Sequence, residues 1–81
     1  MEEKKIKIYS TPTCMYCNML KAYLDQHDKK YEDINLVENR EMAKYVAENT
    51  GQLGVPVTEI DGQFIIGFDQ ARIASILGIE N

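Results

Sequence analysis

The sequence has no tryptophan, a single histidine, two prolines and two cysteines in 81 residues. Each shortage removes a class of explanation. A structural zinc site takes four ligands, usually thiolates and imidazoles, and two cysteines with one histidine do not supply them. No run of 18 or more apolar residues is present, so no bilayer-spanning helix is expected. Basic residues number 9 against 13 acidic ones, a net charge of -4, whereas phosphate backbones and anionic membranes attract clustered Lys and Arg. The opening MEEKKIKIYS contains only short apolar pieces, so no secretory leader is read there and a cytoplasmic location is expected. Repeats, low-complexity tracts and linkers are also missing, and the length predicts one domain over residues 1–81 with a modest core.

What is present reads as alternating strands and helices. KIKIYS, Lys5 to Ser10, alternates polar and apolar residues and predicts a strand. Tyr16, Met19, Leu20, Tyr23 and Leu24 recur at helical spacing, predicting one apolar stripe on a helix from about Met15 to His27. Tyr31 to Leu36 reads as a second strand, followed by a helix of about ten residues with Asn39 as N-cap and Gly51 as its stop. VPVTEI is extended, and Asp61-Gly62 before Gln63 to Ile66 is a type I′ hairpin signal. A closing helix takes Asp69 as N-cap, Gly78 as stop, and Ile73, Ile76 and Leu77 as its buried stripe. The order β-α-β-α-β-β-α predicts an α/β fold: a four-stranded mixed sheet with three helices, its first half a parallel βαβ unit and its last two strands antiparallel.

Both cysteines fall in TPTCMYCNML, three positions apart, where the first helix opens. Three roles compete for them. As a staple, a cross-link closing so short a loop contributes only about 2 kcal/mol in the chain-entropy model. As a metal clamp the pair lacks partners. His27 lies about three helical turns beyond Cys17 and reads as a solvated residue near a helix C-terminus. A two-thiolate site for a soft ion remains open, although small metal-delivery domains with Cys-x-x-Cys follow a β-α-β-β-α-β order that does not match this one. As a redox dithiol the pair fits best, because residues i and i+3 of a helical turn lie roughly 5 Å apart at Cα, within disulfide range. Cys14 falls at the helix mouth, where free N–H groups and the dipole favour a thiolate. Cys17, one turn in, is placed to attack a mixed disulfide formed on Cys14.

With these motifs in hand, the chain resembles the glutaredoxins of the thioredoxin-fold superfamily over nearly its whole length. CMYC resembles the family's Cys-Pro-Tyr-Cys, GVPV its Thr-Val-Pro segment, and IGFDQ its Gly-Gly-x-Asp-Asp turn. The resemblance implies a thioredoxin-like fold and a thiol–disulfide oxidoreductase that uses glutathione as co-substrate, with no metal. It implies Cys14 as nucleophile, Cys17 as resolving thiol, and Pro56 in the cis form facing the dithiol. The Val55 backbone would then pair with glutathione as a short added strand. Tyr16 would flank the glutathione sulfur, while Gly67, Phe68 and Asp69 would complete the site, Asp69 and the nearby helix amides holding the γ-glutamyl end. Plainer roles stand beside these: Asp69 as a cap only, Tyr16 as core only, Pro56 as a strand starter, Gly67 as a turn glycine.

The departures from the family pattern point to a neighbouring group. Met15 replaces the usual proline, Thr11 a common lysine, Gly54 a threonine, Ile66 the first glycine and Gln70 the second aspartate. These weaken the charge complement for glutathione. They fit a second expectation, a glutaredoxin-like redoxin reduced by thioredoxin reductase and feeding ribonucleotide reductase. Cys14 also occupies the position at which some bacterial relatives carry selenocysteine. A third expectation, from another class, is a metal-binding or metal-delivery module. The expected partners are glutathione and disulfide-bearing or glutathionylated proteins, with thioredoxin reductase or ribonucleotide reductase under the second reading. The chain is expected to act as a monomer.

Overall fold

A computed structural model describes residues 5–51 and 54–79. Its elements are β1 (Ile6–Ser10), α1 (Met15–Gln26), β2 (Glu32–Asn35), α2 (Arg40–Thr50), β3 (Val57–Ile60), β4 (Gln63–Ile66) and α3 (Gln70–Leu77). The strands form one sheet in the order β2-β1-β3-β4. β1 and β2 run parallel, and the β1–β3 and β3–β4 pairs are antiparallel. This is the four-stranded mixed sheet that the element order predicts, in the thioredoxin-like arrangement that the family resemblance implies.

Strand alternation sorts the core into two layers. Ile6 and Ile8 of β1, Ile60 of β3 and Ile65 of β4 cluster with Leu20, Tyr23 and Leu24 of α1 and Ile73 of α3. The intervening residues Tyr9 and Val57 turn to the opposite face, where Val46 of α2 joins them. β1, between β2 and β3, is covered on both faces, with Ile6, Ile8, Tyr9 and Ser10 all buried. Burying each of these side chains contributes about 1.5–3 kcal/mol. The β3–β4 turn has Asp61 at φ 49° and Gly62 at φ 85°, the two positive values that a type I′ turn requires.

The helix ends follow the predicted caps. The Asn39 side chain accepts a hydrogen bond from the Met42 N–H, the Asp69 side chain accepts from the Arg72 N–H, and Gly51 and Gly78 close their helices in the left-handed conformation. The predicted apolar stripe of α1 needs correction. Leu20, Tyr23 and Leu24 are buried, joined by Cys17, but Tyr16 is 61% and Met19 46% exposed. The reading of Tyr16 as core is thereby overturned. Periodicity marks a helix face without marking which of its residues the rest of the fold covers. The closing helix shows a milder shift: Ile73 and Ala74 are buried, while Ile76 and Leu77 are only partly so.

Candidate active site

The register brings the predicted site residues to one end of the sheet. β1 and β4 finish there, β3 begins there, and Tyr9, Val57 and Ile66 form one row across the three strands. One step further along, Ser10, Pro56 and Gly67 fall in the next row, and the Gly67 N–H donates to the Pro56 carbonyl at 2.8 Å. The turn leading to Cys14 leaves from Ser10, and α3 begins three residues after Gly67. Parallel and antiparallel pairing thus place the loops before α1, β3 and α3 side by side.

Cys14 is the N-cap of α1, with extended backbone (φ -87°, ψ 110°). Its Sγ accepts a hydrogen bond from the Cys17 N–H at 3.1 Å. Cys14 and Cys17 are joined as a disulfide, with Cα atoms 5.2 Å apart. Cys17 is fully buried and Cys14 half-buried, so the second sulfur is shielded behind the first. No acidic residue occupies the first turn of α1, so no neighbouring carboxylate there opposes a negative charge on the sulfur. A thiolate at this position meets an unpaired N–H and the positive end of the helix dipole.

The residues around the pair differ in character. The Val55–Pro56 peptide bond is cis, with Pro56 buried and Val55 half-buried. Gly67 has φ 77°, in the left-handed region that side chains resist. Phe68 packs against the α1/α3 core layer, its ring 6.0 Å from that of Tyr23. Asp69 is exposed, and its Oδ1 accepts the Arg72 N–H at 3.2 Å. Met15, Tyr16, Met19 and Ile66 expose apolar side chains to solvent, with Met15 73% exposed. Among the described residues, no group of three or more His, Cys, Asp or Glu side chains is placed to hold a metal ion, and no helix is long and apolar enough to cross a membrane.

Sequence reasoning missed a polar cluster beside this end of the sheet. The Ser10 hydroxyl, buried at the end of β1, donates to Asp33 Oδ1 at 2.8 Å, and Lys21 Nζ pairs with Asp33 Oδ2 at 2.7 Å. Burial opposes ionisation of Asp33, but the hydrogen bonds from Lys21 and Ser10 outweigh it and hold the carboxyl below its ordinary range. A second cluster lies on the α2 side. The buried Tyr9 hydroxyl donates to Glu59 Oε1 at 2.6 Å, and Tyr45 donates to the same carboxylate. Burial first, and then the bond to Glu59, push the Tyr9 phenol far above its usual value. No local pattern in YEDINL or VPVTEI marks Asp33 or Glu59 for these pairs.

Comparison with known proteins decides the family. The glutaredoxin family model matches residues 6–65, covering β1 through most of β4. The chain belongs to the glutaredoxin family. A glutaredoxin-like 8.6 kDa protein from the rubredoxin operon of Clostridium pasteurianum is 39% identical over 72 residues, covering 89% of this chain and 96% of that one. The glutaredoxin-like protein NrdH of Lactococcus lactis subsp. lactis is 31% identical over 71 residues, covering 88% of this chain and 97% of its own length. Among solved structures, a mutant of the thioredoxin-like protein BC3987 superposes with a TM-score of 0.88 at 25% identity, covering 94% of this chain and 97% of that chain. This chain is therefore similar along almost its full length to relatives called glutaredoxin-like, one of which carries the NrdH name.

Proposed function

We propose that this chain is a dithiol–disulfide oxidoreductase of glutaredoxin type acting in the cytoplasm, with Cys14 as nucleophile and Cys17 as resolving thiol. The observation that carries the reading is the Cys14 sulfur in the cap of α1, accepting the Cys17 N–H at 3.1 Å with the buried Cys17 sulfur within bonding reach. In the reduced protein the Cys14 thiolate attacks one sulfur of a substrate disulfide. A Cys14–substrate bond forms, the substrate disulfide breaks, and the departing thiolate takes a proton. Cys17, deprotonated, then attacks the Cys14 sulfur, closes the Cys14–Cys17 bond and expels the second substrate thiol. Two electrons and two protons pass to the substrate. Two glutathione molecules return them, leaving as glutathione disulfide.

Glutathione as reductant is supported by family membership and by the loops at this end of the sheet. A peptide-like ligand extended along Val55 beside Pro56 would lie alongside the dithiol. Asp69 and the first amides of α3 would meet its γ-glutamyl end, and Gly67 leaves the approach free of a side chain. Tyr16, 61% exposed next to Cys14, is free to flank the ligand sulfur, and Phe68 would back the loop from the core side.

A second reading has its own support. The NrdH relative matches over almost its full length, and Met15 and Met19 near the dithiol expose apolar side chains where a charged tripeptide would profit from polar contacts. Under this reading thioredoxin reductase reduces the disulfide, and ribonucleotide reductase is among the electron acceptors. A coupled assay with NADPH, supplied in turn with glutathione plus glutathione reductase and with thioredoxin reductase, separates the two. Turnover with glutathione at physiological concentration sustains the first reading. Turnover only with thioredoxin reductase transfers the assignment to the second. Inactivity with both, together with stoichiometric metal in protein purified under reducing conditions, defeats both in favour of metal delivery.

A further inference from the structure

The segment that carries both cysteines begins at Ser10 and returns to the sheet at Lys21, and both of these residues end on one carboxylate. Ser10 is 3% exposed, its hydroxyl is bonded to Asp33 at 2.8 Å, and its carbonyl accepts the Leu36 N–H at 2.9 Å. Lys21 reaches Asp33 at 2.7 Å, with its side chain 20% exposed. Lys21 lies four residues beyond Cys17 on α1, the spacing that puts two residues on one side of a helix. Asp33 faces the same layer as Ile8, its partner in the β1–β2 register.

We infer that Asp33 is a positioning residue for the dithiol: by fastening Ser10 at the start of the segment and Lys21 at its far side, it keeps the Cys17 sulfur facing Cys14 after the disulfide has opened. Asp33 itself touches neither sulfur. Its effect falls on closure, the step in which the Cys17 thiolate attacks the Cys14 mixed disulfide, the Cys14–Cys17 bond forms and the substrate thiolate leaves and is protonated. Attack by Cys14 on the first disulfide depends on the α1 cap and not on the clamp. Holding two reacting groups at a fixed separation raises their effective concentration, and releasing one anchor of the segment lowers it. Among the described residues, Lys21 supplies the charge that Asp33 meets and Ser10 the hydroxyl, while Glu32 and Tyr31 flank it along the chain.

The inference rests on the redox reading above, and its test keeps the two apart. The full chain is equilibrated in buffers of glutathione and glutathione disulfide, and the closed and open forms are counted by thiol trapping. The rate of iodoacetamide reaction at Cys14 reports the nucleophile separately. Asp33→Asn is expected to lower the closed-to-open ratio about tenfold, which for a two-electron couple is a potential less negative by about 30 mV. Its Cys14 reaction rate should stay within about twofold of the parent. Lys21→Met, which keeps the apolar stem, should lower the ratio at least threefold, and Lys21→Arg should restore it. Less than a threefold change in folded Asp33→Asn overturns the inference, as does an equal fall in closure and Cys14 reactivity, which would mark general loosening. Should Asp33→Asn not fold, the Lys21 pair of variants decides alone by the same threshold. A parent protein that never exchanges its disulfide with glutathione disulfide or a small dithiol would refute the redox reading itself.

Discussion

Two helices of this protein start in nearly the same way. At α1 the N-cap is Cys14, with φ -87°, and its side chain accepts the N–H of the residue three positions on, at 3.1 Å. At α3 the N-cap is Asp69, with φ -93°, and it accepts the corresponding N–H at 3.2 Å. The geometry is shared and the chemistry is not. Asp69 satisfies its helix with a carboxylate, which does not react with disulfides. Cys14 does so with a sulfur, a weaker acceptor when neutral but a strong nucleophile when charged. A position that most helices fill for stability is here filled by the atom that would perform the reaction, so that the helix stabilises the charged form it needs.

The largest expected effect breaks this comparison at α1. Serine is among the preferred N-cap residues, so Cys14→Ser keeps the cap while removing the nucleophile. Disulfide reductase turnover should fall below detection, and the thermal midpoint of the variant should match that of the reduced parent. Loss of stability together with activity would show that the sulfur acts mainly as a cap. Cys17→Ser should leave release of glutathione from mixed disulfides near the parent rate while reduction of protein disulfides fails, because only the second needs internal closure.

Next in size is an apolar test beneath both helices. Leu24 of α1 and Ile73 of α3 are fully buried in one layer. Truncating either to alanine should cost about 2–5 kcal/mol by chemical denaturation. Cys14 reactivity should survive Ile73→Ala, provided the variant is assayed where it is folded, because the α1 cap does not pass through α3.

The third test works on α3. Asp69→Ala removes a cap and should cost about 0.5–2 kcal/mol of stability. Asp69→Asn keeps an acceptor in place and should cost much less. If the carboxylate also meets the γ-glutamyl end of glutathione, both variants should raise KM for glutathione several-fold with little change in kcat, and the asparagine variant would do so without loss of stability. Asn39→Ala, at the cap of α2, serves as the control: similar destabilisation with KM unmoved.

The caps were legible in the sequence because they depend on residue type and near neighbours alone. Asn39, Asp69, Gly51 and Gly78 each precede or follow an apolar-periodic segment, and all sit where that pattern predicts. The dithiol was legible for the same reason: three-residue spacing at a helix mouth is a local fact. What was not legible depended on distant pairing. The pattern that included Tyr16 in a buried stripe could not register that the fold leaves this side chain in solvent. Asp33 gave no signal of its own within YEDINL. Its partners lie 12 and 23 positions earlier, and only the parallel register of β1 and β2 brings Ser10 and Lys21 to it. Glu59 was hidden in the same way, its buried partner Tyr9 lying 50 residues away on the neighbouring strand.

The smallest expected effect concerns pH, and it contrasts the two carboxylate clusters that the sequence concealed. Asp33 has its carboxyl held below the ordinary value in the folded protein. Folding therefore favours its ionised form. The stability this adds is present above the carboxylate range of the unfolded chain and disappears as pH falls through the lower, folded value. Because the Asp33 side chain is 45% exposed, solvent screening keeps the effect small. Tyr9 behaves with the opposite sign. Its phenol is raised, so the stability linked to it is complete below about pH 10, the unfolded tyrosine value, and declines as pH climbs toward the folded one. Denaturation midpoints measured from acid to alkaline pH should thus show a shallow acid limb and a steeper alkaline one. Asp33→Asn should flatten only the first, and Tyr9→Phe only the second. An acid limb unchanged in Asp33→Asn would mean that other carboxylates set it and that Asp33 bears no more of the fold's charge balance than an exposed residue.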